Sequence, residues 1–162
     1  AAVATLGDPM QAAVAGLTAG AADAGAPVLL AGGTQMIAIA ALVERLASVG
    51  VAPRPHMVVA TTRWVAEDTT ADPVGLMREA GNYPLLATAL TFAASPFPAL
   101  RLYESGLVKE GVGAGGAAVA ASLASNISSD RLRQQVEERY AAMLGESGSA
   151  PLGTEITPSA IR

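Results

Sequence analysis

The feature that most constrains this chain is one carboxylate at the mouth of a glycine-rich stretch, Lys109-Glu110-Gly111-Val112-Gly113-Ala114-Gly115-Gly116, with an alanine-rich run directly after it. A carboxylate is costly to bury without a partner or a task. Glycines let a backbone approach a ligand closely, and a helix N-terminus offers free N–H groups to an anion or a polar ring. The stretch therefore reads as the floor of a small-ligand site with an acid or base beside it. The competing reading is a helix–helix corner where glycines permit close packing. Glu110 has two readings as well: a general base whose pKa is lifted by a low-polarity pocket, or a surface acid paired with Lys109 or Arg101, a kind of pair that contributes little.

A second glycine turn, Gly32-Gly33-Thr34-Gln35, follows the apolar run Val28-Leu29-Leu30, which shows no alternation, as expected of a strand covered on both faces. Asp8-Pro9 opens a helix over residues 9–24 that stops at Gly25, since Asp can cap free N–H groups and Pro presets φ for the first turn. Its small residues Ala12, Ala15, Gly16, Ala19 and Gly20 suit close packing on a sheet. A helix over residues 34–48 carries its apolar face on Met36, Ile37, Ile39, Ala40, Val43 and Leu46. Thr34 and Gln35 at its start either cap it or touch a ligand.

Residues 56–60 form the next strand, running into Thr61-Thr62. Residues 63–72 are polar, with Trp64 as an apolar wall if the stretch closes over a site. Asp72-Pro73 opens a helix to Ala80. Residues 83–90 form a third strand, in which Pro84 fits only the first position or an edge. Pro96 and Pro98 open a helix over residues 99–108. A helix over residues 115–124 follows the glycine turn, and Ser129-Asp130 caps an amphipathic helix ending near Gly145, with Glu137-Glu138-Arg139 facing solvent. Strands alternating with helices predict an α/β fold, a three-layer Rossmann-like parallel sheet with helices on both faces, over residues 1–145, with a polar tail over 146–162. Ligands of such sheets bind beyond the carboxyl ends of the strands, where both glycine turns and Thr61-Thr62 fall.

Composition narrows the function. Charged residues make up only 15% and apolar ones 51% of 162 residues, against about 25% charged in an ordinary soluble domain. A net charge of −4 argues against nucleic acid as partner. Cysteine is absent, His56 stands alone, and Asp68 with Asp72 is too little for a metal. Residues 24–43 are uncharged and long enough to span a bilayer, but Pro27, Gly32, Gly33, Thr34 and Gln35 interrupt them. No membrane partner and no leader are read, and the expected location is the cytoplasm. Gly111, Gly113 and Gly116 match G-x-G-x-x-G, yet the dinucleotide fingerprint needs a strand directly before it, where residues 103–109 read as helix.

Four motifs occur in order: Gly7-Asp8-Pro9-Met10-Gln11, Leu30-Ala31-Gly32-Gly33-Thr34-Gln35-Met36, Thr61-Thr62-Arg63-Trp64-Val65 and the Lys109–Gly116 stretch. Together they resemble the nicotinate-nucleotide:dimethylbenzimidazole phosphoribosyltransferase family of cobalamin assembly, in its archaeal and cyanobacterial branch, over residues 7–145. The resemblance implies transfer of 5-phosphoribosyl from nicotinate mononucleotide to a benzimidazole base, with Glu110 as general base. It implies substrate contacts at Gly32, Gly33, Thr34, Gln35, Thr61, Thr62, Lys109, Gly111, Gly113 and Gly115. It implies no metal, no cofactor and a homodimer. It also makes the chain the carboxyl-terminal half of the family architecture, the other half supplying part of the base wall and a phosphate loop. Two other readings stand beside it: a non-catalytic nucleotide- or azole-binding module of the same fold, and a nucleotide-dependent oxidoreductase using the G-x-G-x-x-G turn.

Overall fold

The computed structural model describes residues 8–106 and 112–146. Residues 1–7, the stretch 107–111 with Lys109, Glu110 and Gly111, and the tail over 147–162 lie outside the described residues. The elements are α1 (Pro9–Asp23), β1 (Val28–Ala31), α2 (Thr34–Ser48), β2 (Met57–Thr61), α3 (Arg63–Ala66), α4 (Pro73–Ala80), β3 (Leu85–Ala87), α5 (Pro98–Arg101) running into a 3-10 turn (Leu102–Ser105), α6 (Val112–Ser125) and α7 (Ser129–Glu146).

The strands pair in the order β1-β2-β3, all parallel, with Leu30 opposite Val59 and Val59 opposite Leu85. Leu30, Met57 and Val59 point to one face, where they join Ile37, Ile39, Ala40 and Val43 of α2 and Met77 and Ala80 of α4 in the main core. Ala31 and Ala60 point to the other face, where α6 lies across β1, β2 and β3. The expected α/β architecture, a parallel sheet covered on both faces, is thus present as a partial Rossmann-like sheet. Ile39, Val43 and Val59 are fully buried, each contributing about 1.5–3 kcal/mol by burial.

Local signals set the early elements. Asp8 accepts the Met10 N–H at 2.9 Å, and Gly25, at φ +68°, closes α1. Only Ala15 and Thr18 of α1 are buried. Ala12, Gly16 and Gly20 are exposed because α1 packs chiefly on α2 instead of lying flat on the sheet. Asp72 accepts the Gly75 N–H at 3.0 Å and opens α4.

Five expectations need correction. The third strand is only Leu85–Ala87, because side chains capture the amides beyond it: Leu90 N–H donates to Thr88 Oγ1 at 3.2 Å and Phe92 N–H to Glu104 Oε1 at 2.6 Å. The helix expected over residues 99–108 is a single turn followed by a 3-10 turn, ended by Gly106 at φ +70°. The glycine turn is largely helix: α6 already begins at Val112, so Gly113, Gly115 and Gly116 are helical residues. On α7 the hydroxyl of Ser128, not Ser129-Asp130, accepts from a first-turn amide (Arg131 N–H, 3.2 Å). Glu137 is not solvated but mostly buried beside Arg133, whose Nη1 donates to it at 3.0 Å, while Glu138 and Arg139 are exposed.

At the amino edge of the sheet, the Tyr83 hydroxyl donates to Glu44, and Arg54 donates to Glu44 at 3.0 Å and to the Gly81 carbonyl at 2.7 Å. Arg54 is largely exposed, so its charge pairing contributes little. The buried phenol contributes more. Tyr83→Phe is expected to lower unfolding free energy by about 1.5–3 kcal/mol in urea titrations, because it removes the bond to the Glu44 carboxylate and the long one that the phenol oxygen accepts from Arg54 Nε at 3.4 Å.

Candidate functional site

The turns after β1 and β2 and the first turns of α6 meet at the carboxyl edge of the sheet. The Gly32 N–H donates to the Ala60 carbonyl at 2.9 Å, which holds the turn after β1 against the end of β2. A β-carbon on Gly33 would stand 3.5 Å from Val65 Cγ1 of α3 and 3.8 Å from Val112 Cγ1 of α6. One on Gly115 would reach the backbone between Thr61 and Thr62, 2.5 Å from the Thr61 carbonyl carbon. One on Gly113 would stand 3.9 Å from the Ala31 carbonyl oxygen. So Gly32, Gly33, Thr61, Thr62, Gly113 and Gly115 come together. Thr34 and Gln35 sit exposed in the first turn of α2 and do not cap it, since Gly33 holds the cap position without a side-chain bond. Lys109, Glu110 and Gly111 are outside the described residues. The last described residues ahead of them are the 3-10 turn and Gly106.

A cavity of about 400 Å³ opens beside these segments. Trp64, Phe92 and Tyr103 form one wall, Ala114, Gly115, Ala118 and Ala121 of α6 a second, and Leu132 and Val136 of α7 a third. Thr62 and Thr88 add hydroxyls, and no charged side chain is among the described lining residues. Trp64 stacks on Phe92 with centroids 5.7 Å apart and planes 12° from parallel, and Tyr103 tilts against both at 5.2 and 5.9 Å. Trp64 is the apolar wall expected of it. Phe92, Tyr103, Leu132 and Val136 carry no local signal of a site. One compositional clue was available: the chain has one Trp, three Tyr and two Phe, and all but Tyr83 gather in this cluster.

Buried polar side-chain atoms nearly always have partners. Among the described residues the orphans are Thr61 Oγ1, Arg63 Nε and Trp64 Nε1, all on one short stretch at the end of β2. Unmatched hydrogen-bonding capacity therefore concentrates at the carboxyl end of the central strand.

Glu104 gives this edge its charge pattern, and nothing in the sequence marked it. Its carboxylate accepts Thr91 Oγ1 at 2.9 Å, Phe92 N–H at 2.6 Å and Arg63 Nη2 at 2.6 Å. The Trp64 indole N–H faces the same carboxylate outside hydrogen-bonding geometry. Burial by itself would raise the Glu104 pKa; the bonds from Phe92 and Thr91, with Trp64 and the Arg63 charge, outweigh it and hold the pKa below the ordinary glutamate value. A depressed folded-state pKa contributes stability that is complete above the unfolded value and is lost as pH falls through the folded one. Thermal unfolding across pH is thus expected to show a midpoint that declines on the acid side. In Glu104→Gln, which has no proton to gain, that decline is expected to be shallower.

Asp68 and Asp72 serve turns: Asp68 accepts the Thr70 N–H at 2.9 Å and Asp72 caps α4. No group of three or more His, Cys, Asp or Glu side chains converges among the described residues. His56 is exposed, and its carbonyl accepts the Val28 N–H at 2.9 Å, a backbone role at the far edge of the sheet. Among the described residues no helix is long and apolar enough to cross a membrane.

No family model matches the chain. Its relatives among curated proteins are more informative. The chain is similar to UPF0284 proteins of cyanobacteria. It is 51% identical to one from Microcystis aeruginosa over 137 residues, 83% of the chain and 38% of that protein. It is 56% identical to one from Gloeobacter violaceus over 138 residues, 84% of the chain and 36% of that protein. It is 50% identical to one from Trichodesmium erythraeum, over 88% of the chain and 39% of that protein. The chain thus spans about two fifths of the length of the curated relatives it matches, and their name states no activity.

Proposed function

We propose that the chain carries the general base and the base pocket of a phosphoribosyltransferase. In this reading a benzimidazole nitrogen attacks C1′ of nicotinate mononucleotide. The new C1′–N bond forms as the bond to nicotinate breaks, nicotinate leaves, and the proton on the other azole nitrogen passes to Glu110. Proton removal matters most as positive charge grows on the ring, so the carboxylate stabilises the transition state more than the ground state.

The observation that carries the reading is the cavity. Its described lining is uncharged and aromatic on one wall, it opens at the carboxyl edge of a parallel sheet, and it shares Thr62 and Gly115 with the segments that converge there. A flat neutral base suits it; a phosphate does not. Gly32, Gly33, Thr34, Gln35 and Thr61 then face the ribosyl side, and the phosphate is held by sequence that the longer relatives have beyond the matched part. Glu110 is two residues before Val112, whose side chain stands beside Gly33. The four motifs that resemble the phosphoribosyltransferase family support the same assignment.

The test is direct because Trp64 is the only tryptophan. Titration with 5,6-dimethylbenzimidazole is expected to quench its emission saturably. The sequence extended to its relatives' length is expected to release nicotinate from nicotinate mononucleotide when the base is added. Quenching without release in the extended protein would favour the binding-module reading. Absence of both would exclude phosphoribosyl transfer.

A further inference from the structure

Each of the three rings in the cavity wall is tied to one carboxylate that does not itself line the cavity. Arg63, the neighbour of Trp64, pairs with Glu104 at 2.6 Å. The Phe92 N–H donates to Glu104 at 2.6 Å, and Thr91, the residue before it, donates through its hydroxyl at 2.9 Å. Tyr103 is the residue directly before Glu104. The carboxylate therefore links the start of α3, the segment after β3 and the 3-10 turn, three segments otherwise joined at this point by ring contacts. Arg63 is the charged group that acts on it among the described residues; the other groups facing it, Thr91, the Phe92 amide and the Trp64 indole, are neutral.

We propose that Glu104 is the positioning residue of this cavity, fixing Trp64, Phe92 and Tyr103 as a rigid wall that selects a flat, uncharged aromatic ligand. The inference rests on the reading of the cavity as the base pocket. The physical reason is one of preorganisation. Rings held in place before the ligand arrives lose little freedom on binding, whereas loose rings must be ordered at the ligand's expense. Charge-assisted hydrogen bonds at low solvent exposure are strong enough to set such geometry.

Glu104→Gln keeps the size and one acceptor but removes the charge that faces Arg63. Acrylamide quenching of Trp64 is expected to rise about twofold, and affinity for 5,6-dimethylbenzimidazole to fall about tenfold, with far-UV circular dichroism unchanged. In the extended protein, KM for the base is expected to rise with kcat little altered, the pattern of lost ground-state binding. Acidification is expected to shift Trp64 emission in the natural protein and not in Glu104→Gln. Should Glu104→Gln fail to fold, Thr91→Val decides, since it leaves the charge pair and removes one donor; it is expected to move quenching and affinity the same way by a smaller factor. A folded Glu104→Gln, or failing that Thr91→Val, that leaves quenching and affinity unchanged overturns the proposal. The two readings fail separately: a natural protein that does not bind the base removes the assignment of the pocket, while the quenching comparison still tests whether Glu104 holds the wall.

Discussion

Gly116→Ala is expected to destabilise the protein by about 2–3 kcal/mol, although alanine is the better helix former. In an exposed helix the substitution would gain about 1 kcal/mol. Here the new β-carbon would overlap Ala31, lying 2.6 Å from its Cα, and would stand 2.9 Å from the Ala60 carbonyl oxygen. Those atoms belong to paired strands and cannot rotate away, so the sheet or the helix must shift. Overlap with strand backbone lies at or above the upper end of the about 1–3 kcal/mol typical of overpacking, and a strain of about 3–4 kcal/mol less a propensity gain of about 1 kcal/mol leaves a net loss of about 2–3 kcal/mol. Gly115→Ala meets the Thr61-Thr62 backbone in the same way and is expected to behave alike. A fall of roughly 4–12 °C in Tm follows for a protein of this size. Gly16→Ala is the control. It lies in α1 with nothing within 4 Å of its would-be β-carbon, and a gain of about 0.5–1 kcal/mol is expected. Thermal and urea unfolding of the three variants should give opposite signs for the same chemical change. If Gly116→Ala were as stable as the natural protein, the close seating of α6 on the sheet would be wrong.

Glu110→Gln is expected to lower the rate of phosphoribosyl transfer by about a hundredfold or more in the extended protein, with base affinity largely kept. Removal of a general base typically costs 10²–10⁴ in rate. Glutamine retains the shape and a hydrogen-bonding oxygen but cannot accept the azole proton as that nitrogen becomes acidic. Nicotinate release measured at saturating base reads the chemical step, and Trp64 quenching on the same samples reads binding. Loss of rate with intact quenching assigns proton removal to Glu110. An unchanged rate would take the general base away from Glu110 and leave the cavity as a binding site only.

The two variants probe opposite ends of one motif, and they separate what the motif does. Its glycines are required by packing: Gly115 and Gly116 are helical residues seated on the carboxyl ends of β1 and β2, with no loop floor beneath them. Of the two readings of that stretch, the packing one is met in part. Close packing is the reason for the glycines, though against a sheet and not a second helix. The same packing brings Gly115 to the cavity, so the ligand-floor reading has a geometric basis as well.

What the sequence by itself determined is local. Capping oxygens, presetting prolines and the Gly-Gly turn place α1, β1, α2, β2 and α4 within a residue or two, and α2 runs over Thr34–Ser48 as its apolar spacing requires. These signals suffice because each element's ends depend on hydrogen bonds spanning only a few residues. The alternation of strands and helices fixed the parallel sheet and hence the edge where Gly32, Gly33, Thr61, Thr62, Gly113 and Gly115 meet. Tertiary structure alone decided the rest. Glu104 lies 41 residues from Arg63 and 12 from Phe92, and no spacing rule links them. The rings of Trp64, Phe92 and Tyr103 form a wall only once α3, the segment after β3 and the 3-10 turn are folded together. β3 stops at Ala87 because the amides beyond it go to side chains, that of Phe92 to Glu104 twelve residues further on, and the first turns of α6 seat their glycines on strands assembled from earlier segments. Hydrogen bonds near in sequence can be read from the residues that make them; those closed between distant segments are decided by the fold that brings them within reach.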